Sequence, residues 1–480
     1  MTQPMTTEPQ PSPLQVAAAP MATVAVVLLL TASRHGPHWD ELYFRMLPLR
    51  WWYEDQPPLT VWLSWLAAQA SDSLWVQRLP AVAAAAAGAL VAGMIPRAVG
   101  ASPGTQRLAA WAHAFTVYPL MMGHIFTTST IDLLAWMVII LLVLRATLGH
   151  QQSLVWAGAV AGLACWNKLL IVFLVSAMAA SLLWTNREVL RSRAAIAAAA
   201  AFAALAGPQL ILQVVHGLPM AEISAGLVER QGTLTRLVLI PALALFAGPP
   251  LLKVWVTGLV DPWRDRERPG RFLLPTAVLL IAFNLYSPSQ PYYAMGVILG
   301  ALSLGWASPH LQEAWGPAKR RGVVMANSVV AALICLPILP ASGPWLPALT
   351  AINPTIRDQL GWEGYSRQIL DERHPGEAVV TGHYVLAGAT HFYGTDAEAE
   401  TVHSGHNALW QMGPPSVDKV LLVGERATRH GALFAACTAA GTLDTMATAH
   451  PELEHVPMLH CKGPVGGWGS VWPQFRRLSG

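Results

Sequence analysis

Residues 129–148 read STIDLLAWMVIILLVLRATL, twenty residues whose charged side chains, Asp132 and Arg145, stand near the two ends. At a rise of about 1.5 Å per residue, a helix of this length crosses the roughly 30 Å hydrocarbon core of a bilayer. Other stretches of the chain are apolar over a similar or slightly shorter length. Together they predict eleven crossings, near residues 16–33, 78–96, 107–122, 129–148, 153–167, 169–184, 194–215, 234–257, 272–286, 291–307 and 322–340.

Composition agrees with a polytopic α-helical membrane protein. Apolar residues make up 54% of the 480 residues and charged residues 12%, and the mean hydropathy is +0.41. A water-soluble domain of this length would not normally have this balance. The net charge of +3 is small and its basic residues are scattered, which excludes a nucleic-acid surface.

Basic residues separate the predicted loops into two sets. One set is rich in Arg and Lys, with members at 97–107, 145, 187–193, 264–271 and 319–321. Because cytoplasmic loops carry an excess of basic residues, the alternate loops, around 34–56, 123–128, 216–233 and 287–290, are predicted to face outward. The three arginines of loop 34–56 argue against this orientation, but the later loops outweigh them. The N-terminus is then cytoplasmic, with residues 1–15 a disordered tail.

The chain divides into a membrane domain, 16–344, and a polar C-terminal domain, 345–480. Strand-like runs at 378–382, 419–425 and 456–461 alternate with helical segments such as 427–439, which predicts a small α/β domain on the outer side. Of the four cysteines, Cys437 and Cys461 lie in this domain. A disulfide between them and two free thiols are both open readings.

The first outer loop, extended to 34–77, concentrates acidic and aromatic residues. HWDELY (38–43) and WWYEDQPPL (51–59) place Asp40, Glu41, Glu54 and Asp55 between apolar segments. A solvated loop balanced by arginines is the simple interpretation. The crowding of Trp and Tyr favours a headgroup or sugar-binding surface instead. Residues 57–76 begin with two prolines and predict a helix in the outer interface.

Two charged residues lie close to the hydrocarbon. Asp132 is near the outer end of the fourth predicted crossing and Lys168 near the outer end of the fifth. Charges at such depth are costly and tend to mark a site or a pathway, although a lysine can also extend to the interface. A transporter would use the same groups. The sequence has no Walker A, GxGxxG, HExxH or CxxC motif, so nucleotide cradles and standard zinc sites are not indicated.

Several motifs, in order, resemble the bacterial members of glycosyltransferase family 39. They are HWDELY, YEDQPPL, TTSTIDLLAW, GAVAGLACWNKL, GPQLILQVVHGLP and QPYYAMGVILG, followed in the soluble part by LGWEGYSRQIL, YVLAGATHFYG, VHSGHNALWQMGPP and KVLLVGE. The group includes protein O-mannosyltransferases and is similar to the lipid A aminoarabinose transferases of the C-type superfamily. The resemblance implies the C-type fold and an inner-membrane enzyme that moves a sugar, with inversion, from polyprenyl phosphate to a hydroxyl of a lipid, glycan or protein.

The resemblance also implies roles for individual residues. Asp40 would be the general base, and Lys168 with Tyr292 and Tyr293 would receive the departing phosphate. Glu41 and Asp55 would orient the acceptor or, with Asp40, hold a divalent cation such as Mg2+ or Mn2+, whose requirement stays open. Asp132 would position Lys168 or the sugar, Arg45 or Arg230 would assist, and His406 and Asn407 would cover the site or select the acceptor.

Two rival interpretations remain. A transporter or flippase for a lipid-linked glycan would also carry outer-loop acids, but it is disfavoured by the large soluble domain and by the lack of internal repeats. A membrane-anchored carbohydrate-binding domain would not need eleven crossings.

Overall fold

The computed structural model describes residues 11–288, 290–444, 453 and 456–479, apart from the side chain of Gln231. Helix α1 begins at Pro13, after Ser12, whose side chain accepts a hydrogen bond from the Gln15 amide. The predicted tail 1–15 therefore wrongly includes residues 13–15, which belong to the helix. Its residues 1–10 lie outside the described part of the chain.

Helices dominate the first 340 residues. They are α1 Pro13–Thr31, α2 Trp39–Met46, α3 Leu59–Ala70, α4 Leu74–Gln77, α5 Leu79–Ala98, α6 Pro103–Ala114, α7 Val117–His124, α8 Thr128–Thr147, α9 Gln152–Ala164, α10 Leu170–Thr185, α11 Arg187–Leu190, α12 Arg193–Val215, α13 Pro219–Phe246, α14 Leu252–Arg264, α15 Leu273–Tyr286, α16 Met295–Gly305, α17 Pro309–Ala314 and α18 Pro317–Cys335. Helix α3 confirms that most of 57–76 is helical, while its position in the interface stays a prediction.

Each predicted crossing contains a helix, but few of these helices are long. In the described part of the chain, four are long and apolar enough to cross a membrane, or five if one bent pair counts as a single span, and four more are shorter apolar helices of 10–17 residues. Both the membrane class and the helical architecture are thus supported. The number of crossings, eleven, stays a prediction.

The bent pair corrects one predicted crossing. Residues 234–257 do not form one straight helix, because α13 and α14 meet at an angle of 81°. Gly248 lies between them with φ +85° and is followed by Pro249 and Pro250. A left-handed glycine and two residues without an amide proton end the helical hydrogen bonding there. Helix α13 also begins at Pro219, so most of the predicted outer loop 216–233 is helical.

Close packing of small residues joins the helices of the bundle. Helix α9 lies against α12, and a Cβ on Gly158 would come within 2.2 Å of the Ala198 carbonyl oxygen. Glycine at this position lets the two backbones approach, which is the usual way that apolar helices associate in lipid.

The C-terminal part forms a five-stranded sheet with surrounding helices. Its helices are α19 Leu346–Ile352, α20 Pro354–Arg357, α21 Trp362–Glu372, α22 Tyr384–Tyr393, α23 Asp396–Ala399, α24 Glu425–Thr428 and α25 Trp468–Phe475, and its strands are β1 Ala378–Thr381, β2 Val402–Ser404, β3 Lys419–Val423, β4 Phe434–Thr442 and β5 Pro457–Pro464. The strand order is β2-β1-β3-β5-β4. Strand β1 is parallel to β2 and β3, and β5 is antiparallel to β3 and β4.

The three predicted strands correspond to β1, β3 and β5, but the predicted helix 427–439 is wrong. Only its first residues are helical, and from Phe434 the chain continues as edge strand β4. Cys437 lies opposite Cys461 in the β4–β5 register, and the two form a disulfide. Pairing with β5 therefore overrides the helical preference of this alanine-rich run.

Both faces of the sheet are buried. Val379, Leu421 and Val423 pack in one core with Leu42 and Tyr43 of α2. The alternate residues of the same strands face a second core that includes Trp472 and Phe475. Because side chains alternate along a strand, one face of the sheet rests on the first loop of the membrane domain. The loop and the C-terminal sheet thus form one packed unit.

Candidate active site at the Asp40 end of the helix bundle

The loops predicted to face outward meet at one end of the bundle. The Phe126 amide donates to Glu41 Oε1 at 2.8 Å, and the rings of Trp52 and His216 stack with centroids 4.6 Å apart. Near the start of α1, Arg97 of a basic loop donates to the Pro11 carbonyl oxygen at 2.8 Å. The acidic loop and this basic loop are therefore on different ends of the first helix.

Helix α2 directs two neighbouring acids into different surroundings. His38 is its N-cap: the His38 amide donates to Glu41 Oε2 at 2.7 Å, and His38 Nδ1 accepts from the Asp40 amide at 3.2 Å. Successive residues of a helix point about 100° apart. Once the cap fixes Glu41 toward the bundle, Asp40 must project from another side of the helix.

Asp40 is half-buried and faces a cation. The Tyr384 hydroxyl is hydrogen-bonded to its carboxylate, and Lys168 lies close enough to interact with its charge. Burial raises the pKa of Asp40 to about 7, with smaller contributions in the same direction from Glu41 and Asp55, while Lys168 and Tyr384 oppose the shift. The carboxylate is thus able to exchange a proton near neutral pH.

Lys168 is fixed by its neighbours on both sides. Its Nζ donates to Ser129 Oγ at 2.8 Å and lies 5.5 Å and 5.2 Å from the ring centroids of Tyr292 and Tyr293. The charges of Asp132 and Asp40 both act on it. The structure therefore brings together Asp40, Lys168, Asp132 and the two tyrosines, as the sequence analysis expected.

The loop that carries Lys168 is held by a buried amide. Asn167 Nδ2 donates to the Thr128 carbonyl oxygen at 2.7 Å, and Asn167 Oδ1 accepts from Thr60 Oγ1 at 2.6 Å. These bonds connect the loop to the start of α8 and to α3. The ammonium group is consequently presented by a rigid support.

Asp132 is a buried member of this cluster. Its Oδ1 accepts from Trp136 Nε1 at 3.0 Å, one turn along α8. Tyr118 and Tyr292 are both hydrogen-bonded to Ser129, and their rings stack at 5.4 Å. The charge of Asp132 acts on Lys168, as does that of Asp40.

Glu41 has a different environment from the one predicted. It is completely buried, and Arg78 binds both of its oxygens, with Nε 2.9 Å from Oε1 and Nη2 2.8 Å from Oε2. The amides of Phe126 and His38 also donate to these oxygens. A carboxylate with these four donors has no open position for an acceptor or a metal ion. The predicted role of Glu41 is corrected to that of a structural anchor.

Asp55, unlike Glu41, has a hydrogen-bond partner among the described residues on only one of its two carboxylate oxygens. Its Oδ2 accepts from the Tyr43 hydroxyl at 2.7 Å, whose oxygen in turn accepts from the Ala408 amide at 3.1 Å. Its Oδ1 is buried without a partner among the described residues. Burial raises the pKa of Asp55 to about 6. One oxygen therefore remains available for a polar ligand.

His406 and Asn407 serve the C-terminal domain itself. His406 Nε2 lies 2.9 Å from Ser479 Oγ, and Asn407 Oδ1 accepts from the Ser479 amide at 3.0 Å. His406 Nδ1 also accepts from the Tyr384 amide at 3.2 Å. The two side chains hold Ser479 and Tyr384, and their predicted role in covering the site or selecting the acceptor stays a prediction.

Arg45 also points elsewhere. It pairs with the exposed carboxylate of Asp72 and lies 5.1 Å from the ring of Phe392. Its predicted assistance at the phosphate site is therefore not supported.

The predicted metal set does not fit the geometry. Glu41 is fully occupied, which leaves Asp40 and Asp55 beside the positive charge of Lys168. In the described part of the chain, ligand atoms within 4.8 Å of one another occur at His374, Glu377 and His460, which belong to the C-terminal domain.

Sequence reasoning missed three residues of the site. Ser129 lies in the quoted TTST run and Tyr118 at the outer end of the third predicted crossing, so position alone could have suggested them. Tyr384 begins helix α22 of the C-terminal domain. No local pattern connects it with Asp40, because only the docking of the sheet on α2 brings them together.

Comparisons with known proteins bear on the fold and on the family resemblance. A family described as dolichyl-phosphate-mannose-protein mannosyltransferase matches residues 55–212, about a third of the chain. ArnT from Cupriavidus metallidurans bound to undecaprenyl phosphate is similar over 94% of this chain and 98% of its own, with a TM-score of 0.56 and 13% identity. Its apo state is similar over 92% and 97%, with a TM-score of 0.59 and 13% identity. No curated protein matches the chain.

The class follows from the fold and the family match taken together. The fold is that of the C-type membrane glycosyltransferases, and the predicted resemblance to this group is confirmed. The chain is accordingly similar to the membrane glycosyltransferases, and the Asp40–Lys168 cluster is its candidate active site.

Proposed function

We propose that the protein transfers a sugar from a polyprenyl-phosphate donor to an acceptor hydroxyl at the outer face of the inner membrane, with inversion. The observation that carries the proposal is the placement of the Asp40 carboxylate near the Lys168 ammonium group at one end of the bundle, beside two tyrosine rings. A base and a cation near one another are what this displacement requires.

Asp40 accepts the proton of the attacking hydroxyl. The acceptor oxygen forms a bond to the anomeric carbon while the bond from that carbon to the phosphate oxygen breaks. The proton passes to Asp40, whose pKa, raised to about 7 by burial, suits a general base at neutral pH. The Tyr384 hydroxyl holds the carboxylate in place during this step.

Lys168 stabilises the departing phosphate. The leaving group is already a stable anion, so the site needs no second carboxylic acid to protonate it, in contrast to a glycoside hydrolase. A preplaced ammonium group with nearby tyrosine hydroxyls stabilises the negative charge that grows on the phosphate oxygen. The carboxylate of Asp132 interacts favourably with the Lys168 ammonium group, and Ser129 fixes the position of its Nζ.

The lipid nature of the donor is supported by fold and composition. ArnT, which shares the fold, has been solved with undecaprenyl phosphate. The helices of this chain present a large apolar surface, with exposed residues such as Leu183, Trp184 and Leu237. A polyprenyl tail would lie along such a surface, with its phosphate reaching Lys168.

Two observations support an outer location for the site and for the C-terminal domain. The Cys437–Cys461 disulfide is of a kind that persists in the periplasm and is rare in the cytosol. The basic loops fall on the alternate side of the predicted crossings. A multi-pass arrangement with a cytoplasmic N-terminus and a periplasmic C-terminal domain satisfies both.

The proposal is tested with membranes that contain the protein and radiolabelled polyprenyl-phosphate sugars. Asp40→Asn should reduce covalent transfer by roughly 10²- to 10⁴-fold, the usual contribution of a positioned base, with unchanged expression and melting temperature. Asp72→Asn is the matched control, because this carboxylate is 96% exposed. Full transfer by Asp40→Asn would refute the proposal, and movement of the labelled lipid without a covalent product would indicate a transporter.

A further inference from the structure

A cavity of about 380 Å3 opens at one edge of the C-terminal sheet. It is lined by Thr381 and Gly382 after β1, by Gly405 and His406 after β2, and by Arg426 after β3. These three strands are parallel neighbours, so their carboxyl ends meet at this edge. Ligands of open α/β sheets bind outside the carboxyl ends of the strands.

The lining of this cavity is basic. It includes Arg426, Arg429, Arg476 and Arg477, and none of the described lining residues is acidic. Burial lowers the pKa of His430, also in the lining, so the positive charge comes from the arginines. Planar guanidinium groups bind phosphoryl oxygens in a bidentate geometry.

Arg429 and Arg476 each have an acidic partner among the described residues, and Arg477 retains an unsatisfied donor. Arg429 pairs with exposed Glu425 at 3.2 Å, and Arg476 pairs with Glu54 at 3.0 Å. Arg477 Nη1 is buried without a hydrogen-bond partner among the described residues, while its backbone is fixed by bonds with Gly405 and Asn407. Burial of a guanidinium nitrogen without a hydrogen-bond acceptor costs free energy, unless a ligand supplies the missing acceptor.

The cavity is connected to the candidate active site through residues of its lining. His406, in its wall, accepts from the Tyr384 amide at 3.2 Å, and the two rings are 5.0 Å apart. The hydroxyl of the same Tyr384 reaches Asp40. Arg476 connects the rim to Glu54, the neighbour of Asp55. His406 and Tyr384 therefore connect the cavity to the proposed base.

We infer that this cavity binds a phosphoryl or pyrophosphoryl group carried by the acceptor, and so orients the acceptor hydroxyl toward Asp40. The role in acceptor binding rests on the proposed function, whereas the binding of the anion does not. The phosphoryl group belongs either to a soluble molecule or to a lipid headgroup.

The test measures binding of inorganic pyrophosphate to the full-length protein by calorimetry. Arg426→Gln and Arg477→Gln should each bind roughly 10- to 100-fold more weakly than the parent, since each removes a charged hydrogen-bond donor. Arg367→Gln is the control, because this exposed arginine pairs with Glu363 on α21. Absence of saturable binding, or equal affinity in all three variants, would overturn the inference.

A second arm identifies the source of the phosphoryl group. Vesicles of phosphatidylcholine with phosphatidic acid are compared with phosphatidylcholine alone as competitors of pyrophosphate. Competition by phosphatidic acid only indicates a lipid headgroup, and its failure indicates a soluble ligand; both outcomes support the anion site. Pyrophosphate should also inhibit transfer to endogenous acceptors by the parent and less so by Arg477→Gln, and equal inhibition would argue against a role in acceptor binding.

The two proposals fail independently. Asp40→Asn should bind pyrophosphate as the parent does, because Asp40 does not line the cavity. If Asp40→Asn kept full transfer, the proposed function would fall while the anion site could still be demonstrated. If Arg426→Gln and Arg477→Gln both bound pyrophosphate as tightly as the control variant, only the present inference would fall.

Discussion

The carboxylates of Glu41 and Asp40 project from different sides of helix α2, and each faces a basic residue, Arg78 or Lys168. The two carboxylates differ in how many of their hydrogen-bonding positions are occupied by protein groups. In the buried pair, Glu41 accepts from Arg78 and from two backbone amides, and nothing in this set is open to a substrate. In the second pair, Asp40 and Lys168 interact at longer range, and the Asp40 pKa is raised to about 7. Adjacent carboxylates can thus have a structural and a reactive role, according to what saturates them.

The largest expected effect is a loss of stability when the buried Glu41–Arg78 pair is broken. Glu41→Gln leaves the Arg78 charge buried without its counter-ion, which should lower the free energy of unfolding by roughly 3–5 kcal/mol. Thermal melting of the purified protein in detergent measures the loss. Asp72→Asn should change it by less than about 1 kcal/mol, because its ion pair is at the surface. A Glu41→Gln protein that melted normally but failed in transfer would reverse the assigned roles.

Replacement of the cation tests the reactive pair. Lys168→Met should reduce the turnover number by roughly 10²- to 10³-fold, the usual cost of removing one donor to a developing oxyanion. Turnover and the KM for the labelled donor are measured separately. Lys319→Met is the matched control, since this exposed lysine also lies over an aromatic ring, that of Trp315, at 5.2 Å. Equal activities of the two variants would exclude Lys168 from phosphate stabilisation.

Asp55 gives a case between the two pairs. Tyr43→Phe removes the hydroxyl that donates to Asp55 and accepts from Ala408, which should cost about 1–3 kcal/mol because a buried amide loses its partner. The loss should appear as faster proteolysis of the C-terminal domain at unchanged transfer rate per folded molecule. Unaltered protease resistance would show that this contact does not hold the domain on the loop.

The smallest expected effect concerns pH. The Asp40 base is active when ionised, so transfer should fall as the pH drops below about 7. Tyr384→Phe removes a hydrogen bond that lowers the pKa of Asp40. The acidic limb should therefore move up by roughly one pH unit or less, with the loss relative to the parent larger at pH 6 than at pH 8.

A conservative change on the same helix is the control for this shift. Tyr393→Phe also removes a phenol hydroxyl from α22, and it should leave the pH profile in place. An unshifted limb in Tyr384→Phe would contradict the contact between the C-terminal domain and Asp40.

Much of the site could be predicted, since its members lie beside apolar segments. Asp132 and Lys168 are conspicuous because a charge near hydrocarbon is rare. Asp40 stands in the motif HWDELY, which resembles a motif of glycosyltransferase family 39. Glu41 could not be distinguished from Asp40 in this way, because both occupy the same motif. Its role depends on Arg78, which begins the next long helix and reaches back to α2.

The C-terminal part shows the same limit. Strands β1, β3 and β5 were readable because their apolar residues form short uninterrupted runs bounded by turn residues. Strand β4 was missed because an edge strand rich in alanine has no strong local preference, and its conformation follows from pairing with β5.

The sequence by itself determined the membrane class, the helical segments and the end of the bundle that carries the acids, because hydrophobic length and charge placement are local properties of the chain. Only the tertiary structure decided that Glu41 is closed by Arg78, that Tyr384 reaches Asp40, and that four arginines share one cavity. Hydrogen-bond saturation and burial depend on groups distant in sequence, and those groups are brought together by packing alone.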